Sequence, residues 1–353
     1  MSEPRKTRDL RPFIGRLLAA AGILALLWLA WHLRGLLMLA FGAVLVAVIL
    51  HLIARPIHER LAFRPGVSLT LTVLLVLALF ALAFWLLGAE AASQTRSLER
   101  LMPAALQSLQ ARLESWGVGG FVRQWMNSVA LGEGVMANAG RFAMSLGNGI
   151  ADTLLVLVGG IYLAAQPELY RTGLMKLLPP PSRGLVAEAL DESGKTLGLW
   201  LKGRLVSMAL VGLLTGVGLW AIGVPAALSL GLLSALLEFI PFIGPIIAAV
   251  PAILLALAHS PEAALWTALL YLIVQQLEGN VVEPLVQQRA VTIPPALLLF
   301  ALVASGLLFG IVGILLGAPL TVVLYVLVKR LYVREALHTD TPLPTERQEE
   351  HAD

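Results

Sequence analysis

The sequence predicts an all-α polytopic membrane protein with about seven to eight transmembrane spans, including short or re-entrant helical hairpins, and a small extramembrane helical insert. Of its 353 residues, 58% are hydrophobic and 13% are charged. A soluble domain carries roughly 25% charged residues, so this chain lacks the charge to cover a water-facing surface. Several apolar runs approach the ~20 residues that cross a bilayer as helix. They lack the alternation of barrel strands, which favours helices.

The net charge and the cysteine and histidine content exclude several classes of function. The net charge is only +3, and the basic residues stand beside apolar spans, which the positive-inside rule explains without a nucleic-acid partner. The chain has no cysteine, which excludes disulfides and thiolate chemistry. The six histidines are scattered without metal-ligand spacing, and no nucleophile motif is present. We therefore expect no catalytic residues, no metal site, no cofactor and no enzymatic activity.

Two spans near the start, roughly 14–31 and 36–54, are separated by what we interpret as a tight polar link at 32–35. A basic loop over 55–65 precedes a third span near 67–88. If basic segments face the cytoplasm, the N-terminus and this loop lie inside and the chain emerges outside near residue 89.

The next segments differ in composition. Beyond residue 89, apolar residues recur three and four positions apart, as in an amphipathic helix. We divide the chain into a basic cytoplasmic tail (1–16), N-terminal transmembrane spans (17–88), an extracytoplasmic helical insert (89–145), a transmembrane span (146–166), a cytoplasmic amphipathic segment (167–200), a C-terminal transmembrane core with broken helices (201–332) and a disordered cytoplasmic tail (333–353).

Irregular apolar segments characterise the C-terminal core. The runs 225–240 and 246–258 are about 24 Å and 20 Å long as helices, shorter than the bilayer core. Between them lies Phe239-Ile240-Pro241-Phe242-Ile243-Gly244-Pro245, in which two prolines and a glycine define a break. The apolar region 295–328 is too long for one span and rich in glycine, so it predicts two half-length helices meeting in a hairpin.

Polar residues cluster at these breaks. Ionisable groups inside apolar segments are rare and costly, so they are candidates for function. Broken helices carrying polar groups are a common solution for transport sites, where a carboxylate could also exchange a proton. The candidate residues of a substrate or ion pathway are Glu238, Pro241, Gly244, Pro245, Gln275, Gln276, Glu278, Asn280, Glu283 and Pro284. Gln275 and Glu278 would share one helix face.

Other interpretations of these residues stay open. Glu238, Glu278 and Glu283 could instead sit at headgroup level and cap or orient helices. Arg204 is interpreted as a residue that snorkels from the end of a span near 203–222. The spacing Gly306/Gly310 and Gly313/Gly317 is typical of close helix packing rather than of substrate contact.

The central motifs resemble those of the AI-2E transporter family, also called the PerM-like permeases. The residues that carry the resemblance are the segment from Glu238 to Pro245, Gln275-Gln276-Leu277-Glu278-Gly279-Asn280, Pro284, and the run from Pro294 to Leu320. The order of elements agrees from about residue 12 to 336. The central motifs are fairly specific, whereas the N-terminal spans are generic.

The resemblance implies a bacterial inner-membrane, multi-pass, homo-oligomeric permease, with a pentamer as a candidate state. The family implies export of a small solute such as autoinducer-2 or a related molecule, with ion or proton coupling, or alternatively sodium/proton antiport. Its partners would be the lipid bilayer and a small-molecule or ion substrate. The positive-inside rule places both termini in the cytoplasm. A different class of function is a non-transporting scaffold that binds partners through the insert 89–145.

Overall fold

The computed structural model describes residues 28–61, 63–83, 134–282 and 293–339, together with a few single positions beside these ranges. Across these residues the chain is helical with no strand, so the predicted all-α polytopic fold is confirmed. Four helical stretches are long and apolar enough to cross a membrane, or five if a bent pair of helices counts as one span.

Within the part of the chain that the structure describes, we number nine α-helices in chain order. They are α1 (Arg34–Leu61), α2 (Pro65–Ala83), α3 (Gly134–Ala165), α4 (Pro167–Lys176), α5 (Arg183–Ile222), α6 (Ala227–Leu237), α7 (Ile243–His259), α8 (Pro261–Leu277) and α9 (Pro295–Leu327). Proline at the first turn starts several of them, because its missing N–H needs no partner there. Gly223 ends α5 in the left-handed conformation at φ 83°.

The polar link predicted at 32–35 does not reverse the chain. The N–H of Leu33 donates to the carbonyl of Leu29 (2.8 Å), and that of Leu37 donates to Leu33 (2.9 Å). These are bonds between residues four apart, so the helix continues into α1. The prediction of a link between two separate spans at 32–35 is therefore wrong. His32 and Arg34 interrupt the apolar run without interrupting the helix, since neither is a helix breaker.

Helices α1 and α3 pack closely through small residues. Gly160 faces Val46 and the carbonyl of Ala43, where a methyl group would be only 3.0 Å from that oxygen. Close approach of this kind is the usual way for helices to associate in lipid. The helix α3 crosses residue 145, where the sequence predicts the insert to end, and bends by 90° into α4. Residues 89–133 of the predicted insert lie outside the described residues.

One continuous helix of 40 residues, α5, joins the predicted cytoplasmic segment to the following span. Its first half is held by two short ion pairs, Arg171 to Asp191 and Arg330 to Glu188, each at 2.5 Å. Its second half is apolar and packs on the short helices. The helix does not end at residue 200, where the sequence divides the two segments.

The short helices α6, α7 and α8 form one packed unit against α5. Gly212 and Gly216 of α5 approach Gly231 of α6 so closely that a methyl group on Gly231 would contact the α5 backbone. The Tyr271 hydroxyl on α8 lies 2.8 Å from the Ser234 hydroxyl of α6 and donates to the Ala248 carbonyl of α7 at 3.2 Å. One phenol therefore joins all three short helices.

Helix α9 is a hairpin with its reversal at Gly310. The backbone angles there are φ 64° and ψ −141°, a region that essentially only glycine adopts. A methyl group on Gly317 would lie 3.2 Å from Leu302 and 3.1 Å from Ser305. In a straight helix residues fifteen positions apart are about 22 Å distant, so the arms must fold back on each other. The predicted pair of half-length helices agrees with this geometry.

Candidate functional site

A buried ion cluster forms where the broken helices meet α5. The Nη2 atom of Arg204 lies 2.9 Å from Oε1 of Glu238, and its Nη1 atom lies 3.2 Å from Oε1 of Glu278. The side chains are 12%, 2% and 9% exposed, respectively. We call these three residues the Arg204 cluster. A cation pairs with two carboxylates here in a setting where an unpaired buried charge would be strongly destabilising.

The break after α6 places Glu238. The carboxylate residue follows the last turn of α6, and its N–H donates to the Ser234 carbonyl at 2.9 Å. Arg204 also donates from Nη2 to the backbone carbonyl of Glu238. That carbonyl stands at a helix end, where carbonyl groups have no partner within the helix. The guanidinium therefore stabilises both the Glu238 carboxylate and the Glu238 backbone carbonyl at the break.

Pro241, Gly244 and Pro245 shape the turn between α6 and α7. Phe242 has a positive φ of 65°, and Gly244 packs directly against the carbonyl of Leu237. The N–H of Ile243 donates to the Pro241 carbonyl at 2.8 Å. Gly244 is required by this close approach, since any side chain would collide with the α6 backbone. The turn thus holds Glu238 rigidly at the end of α6.

The end of α8 places Glu278. At this residue the chain passes into a five-residue π-helical turn, Glu278–Val282, that buries the carboxylate. Gln275 Nε2 donates to Glu278 Oε2 at 3.1 Å, while the other carboxylate oxygen faces Arg204. Such π-helical turns within helices are frequently found at functional sites, because they turn one side chain away from its regular register.

The remaining candidates lie outside the cluster. Asn280 Nδ2 donates to the carbonyl and side-chain oxygens of Gln276 at 2.9 and 2.8 Å, and both residues are exposed. Glu283 lies outside the described residues, and Pro284 is an exposed helical position. The structure therefore brings Glu238, Glu278 and Gln275 together and places Gln276 and Asn280 on a neighbouring face.

Arg204 is the site residue that the sequence interpretation missed. It was assigned to the membrane interface because it lies near the start of an apolar run. In the structure its guanidinium points inward and pairs with carboxylates 34 and 74 residues away along the chain. The available signal was the pair of carboxylates themselves, since two buried acids at adjacent helix breaks require a nearby cation.

The Arg204 cluster combines two buried carboxylates with one guanidinium. The Nε atom of Arg204 is buried and has no hydrogen-bond partner among the described residues. Trp200 packs edge-on to Phe239, with ring centroids 6.2 Å apart, and covers the break on one side. An acceptor atom that reached Nε would satisfy this donor.

The described ranges contain no group of three His, Asp or Glu side chains that could hold a metal ion. A cavity of about 480 Å³ lies between α5 and α6 and is lined by Trp220 and by the Gly212–Gly231 contact. Its lining side chains carry no polar group except the Trp220 indole N–H, so they offer a polar solute at most one hydrogen bond.

Comparison with known proteins gives a consistent result. Residues 17–332 match the sequence model described as AI-2E family transporter. The chain is 26% identical to putative transport protein YueF of Bacillus subtilis over 314 residues, which covers 83% of each chain. It is 26% identical to AI-2 transport protein TqsA of Escherichia coli over 295 residues, covering 80% of this chain and 82% of TqsA. A stronger match of 35% identity, to putative transport protein YrrI of Bacillus subtilis, spans half of each chain.

Proposed function

This chain belongs to the AI-2E transporter family, and we propose that it moves a small polar solute across the bacterial inner membrane along a pathway that passes the Arg204 cluster. The observation that carries this proposal is the meeting of two broken helices at paired charges. Transporters usually bind polar substrates within the hydrocarbon core by means of unwound helix ends and buried charged side chains.

The charges at the cluster support solute binding in addition to structural pairing. Arg204 uses Nη1 and Nη2 for protein partners, and its buried Nε has no hydrogen-bond partner among the described residues. A hydroxyl, carbonyl or water oxygen would satisfy this donor, which is otherwise costly to bury. Gln275 is exposed and adjoins Glu278, so an amide group also lines the approach to the cluster. These groups fit an uncharged, oxygen-rich small molecule.

Autoinducer-2 is the first candidate substrate. The support is the similarity to TqsA, an AI-2 transport protein that aligns with 80% of this chain. The chemistry of the cluster agrees with it, because a small oxygen-rich solute needs hydrogen-bond donors such as the Arg204 guanidinium and the Gln275 amide.

A second candidate is cation/proton antiport, favoured by two buried carboxylates at adjacent helix breaks. An ionised carboxylate can bind either a proton or a monovalent cation, and Glu238 and Glu278 both lie beside the same guanidinium. Alternate binding of the two would couple their movements, because both would compete for the same carboxylates.

Reconstitution into liposomes tests both candidates. Vesicles loaded with autoinducer-2 are assayed for efflux, and vesicles with an internal pH dye are assayed for proton movement driven by a sodium gradient. Wild-type protein is compared with Glu238→Gln and Glu278→Gln. Loss of a charge-assisted hydrogen bond of roughly 1.5–3 kcal/mol corresponds to a decrease of about ten- to hundredfold in rate.

Glu59→Gln serves as the matched control, since Glu59 is an exposed carboxylate that pairs with Arg55 at 2.8 Å on the surface of α1. It should transport at the wild-type rate. Wild-type rates in both cluster variants would contradict the assignment of the pathway. Absence of both activities in wild-type vesicles would instead contradict the two candidate substrates.

A further inference from the structure

A second cavity, of about 350 Å³, lies between the start of α1 and the tip of the α9 hairpin. It is distinct from the Arg204 cluster and contains none of its residues. Its lining is apolar except for one cation and one indole. The lining includes Ala30, Trp31, Arg34, Leu37, Phe41 and Leu308.

Arg34 gives this cavity its polarity. Its guanidinium lies over the Trp31 ring, 4.6 Å from the ring centroid. Among the lining residues there is no carboxylate, so the cavity holds one positive charge that its own walls do not neutralise. A cation at the edge of an apolar surface attracts an anionic or strongly polar partner.

The position of Arg34 along the helix places it near a membrane surface. Between Arg34 and Arg55 the helix carries no Asp, Glu, Lys or Arg. This uncharged segment is about 31 Å long at 1.5 Å per residue, which matches the hydrocarbon core of about 30 Å. Trp28 and Trp31 lie about two turns and one turn before Arg34, respectively. They are 67% and 58% exposed, as expected of interfacial aromatic residues.

We infer that this cavity binds one anionic phospholipid, with its phosphate at Arg34 and an acyl chain along Leu37, Phe41 and Leu308. The charge of the cavity selects the headgroup, because one cation without an acidic neighbour attracts phosphate and anionic lipid. The apolar residues on the hydrocarbon side of the cavity pack against the acyl chain of the lipid. The lipid thereby bridges α1 and the tip of the re-entrant hairpin.

Lipid binding is measured on the full-length protein purified in mild detergent. Bound phosphatidylglycerol is extracted and counted per chain, and thermal stabilisation by added phosphatidylglycerol is compared with that by phosphatidylcholine. The variants are Arg34→Gln, which removes the charge, and Ala30→Phe, which fills the cavity from an exposed position and keeps the charge. Arg34→Lys keeps a cation, and Arg171→Gln removes a cation elsewhere.

The expected result is that Arg34→Gln and Ala30→Phe each lose bound phosphatidylglycerol and its selective stabilisation, with affinity reduced by about fivefold or more. Arg34→Lys and Arg171→Gln should keep both. Unchanged lipid content in Arg34→Gln would overturn the proposal, as would loss in Arg34→Gln with full retention in Ala30→Phe. A change of oligomeric mass without a change in bound lipid would show that a second copy covers the cavity instead.

Discussion

Arg204 and Glu278 are separated by 74 residues in the chain, yet Nη1 of the first lies 3.2 Å from Oε1 of the second. Glu238 completes the contact from the other broken helix. The pairing fixes the ends of α6 and α8 against the middle of α5. Stability of the short helices and polarity of the proposed pathway therefore depend on the same guanidinium.

Replacing Arg204 with alanine should strongly destabilise the protein. Removing one partner from a buried ion cluster typically costs about 3–5 kcal/mol, because the remaining charges stay buried without compensation. The midpoint of thermal unfolding in detergent measures the effect. Arg204→Lys should recover part of the loss, because lysine retains the charge. Its ammonium lacks the planar, forked donors that let a guanidinium bind both carboxylates and the carbonyl at once.

Arg171→Ala is the control for this experiment, because its partner Asp191 is half exposed and surface pairs contribute little. An unfolding midpoint for Arg204→Ala equal to that of the control would contradict the buried pairing.

Gly244→Ala should disrupt the turn between α6 and α7. The added methyl group would collide with the Leu237 carbonyl, which belongs to the backbone and cannot rotate away. Overpacking of this kind costs about 1–3 kcal/mol or more, seen as a lower unfolding midpoint and reduced transport. Gly198→Ala in α5 is the matched change, because no atom lies within 4 Å of the added methyl group. Equal stability of the two variants would count against the close approach.

The double variant Ser305→Cys/Gly317→Cys should form an intramolecular disulfide. A Cβ at residue 317 would lie 3.1 Å from that of Ser305. Disulfides have Cβ separations of about 3.5–4.5 Å, so a shift of a few tenths of an ångström brings the pair into range. The native chain contains no cysteine, so copper phenanthroline oxidation followed by mass spectrometry detects only the engineered pair.

The matched pair is Ser207→Cys/Leu219→Cys, with the same sequence separation within the continuous helix α5. There the two residues are about 18 Å apart along the axis, and no intramolecular disulfide should form. A Ser305/Gly317 pair that stays reduced would rule out the reversal at Gly310.

Tyr271→Phe should loosen the packing of α6, α7 and α8. The phenol hydroxyl contacts Ser234 at 2.8 Å and Ala248 at 3.2 Å. Losing these bonds should cost about 0.5–1.5 kcal/mol each, measured as a lower midpoint of thermal unfolding. Tyr162→Phe removes a hydroxyl from an exposed position and should leave the midpoint unchanged. Equal midpoints for the two variants would show that the Tyr271 hydroxyl does not join the helices.

Sequence patterns were sufficient where the physical cause is local. Two prolines and a glycine between 241 and 245 predict a break because each acts on its own backbone, and α6 and α7 indeed end and begin there. The length of the run 295–328 likewise predicts a reversal. Arg204 was misassigned because its role depends on partners brought close only by the fold. The link at 32–35 was misassigned because loss of hydrophobicity was equated with loss of helix.

The reversal at Gly310 leaves backbone carbonyl groups at the tip of the hairpin that need partners. The arm from residue 295 to 309 is about 22 Å long, shorter than the hydrocarbon core of about 30 Å. Carbonyl groups in the last turn of that arm have no partner in their own helix, and lipid tails offer none. Water or neighbouring protein must therefore reach the tip. Wherever water is the partner, the dry distance that a polar solute has to cross becomes shorter along this hairpin.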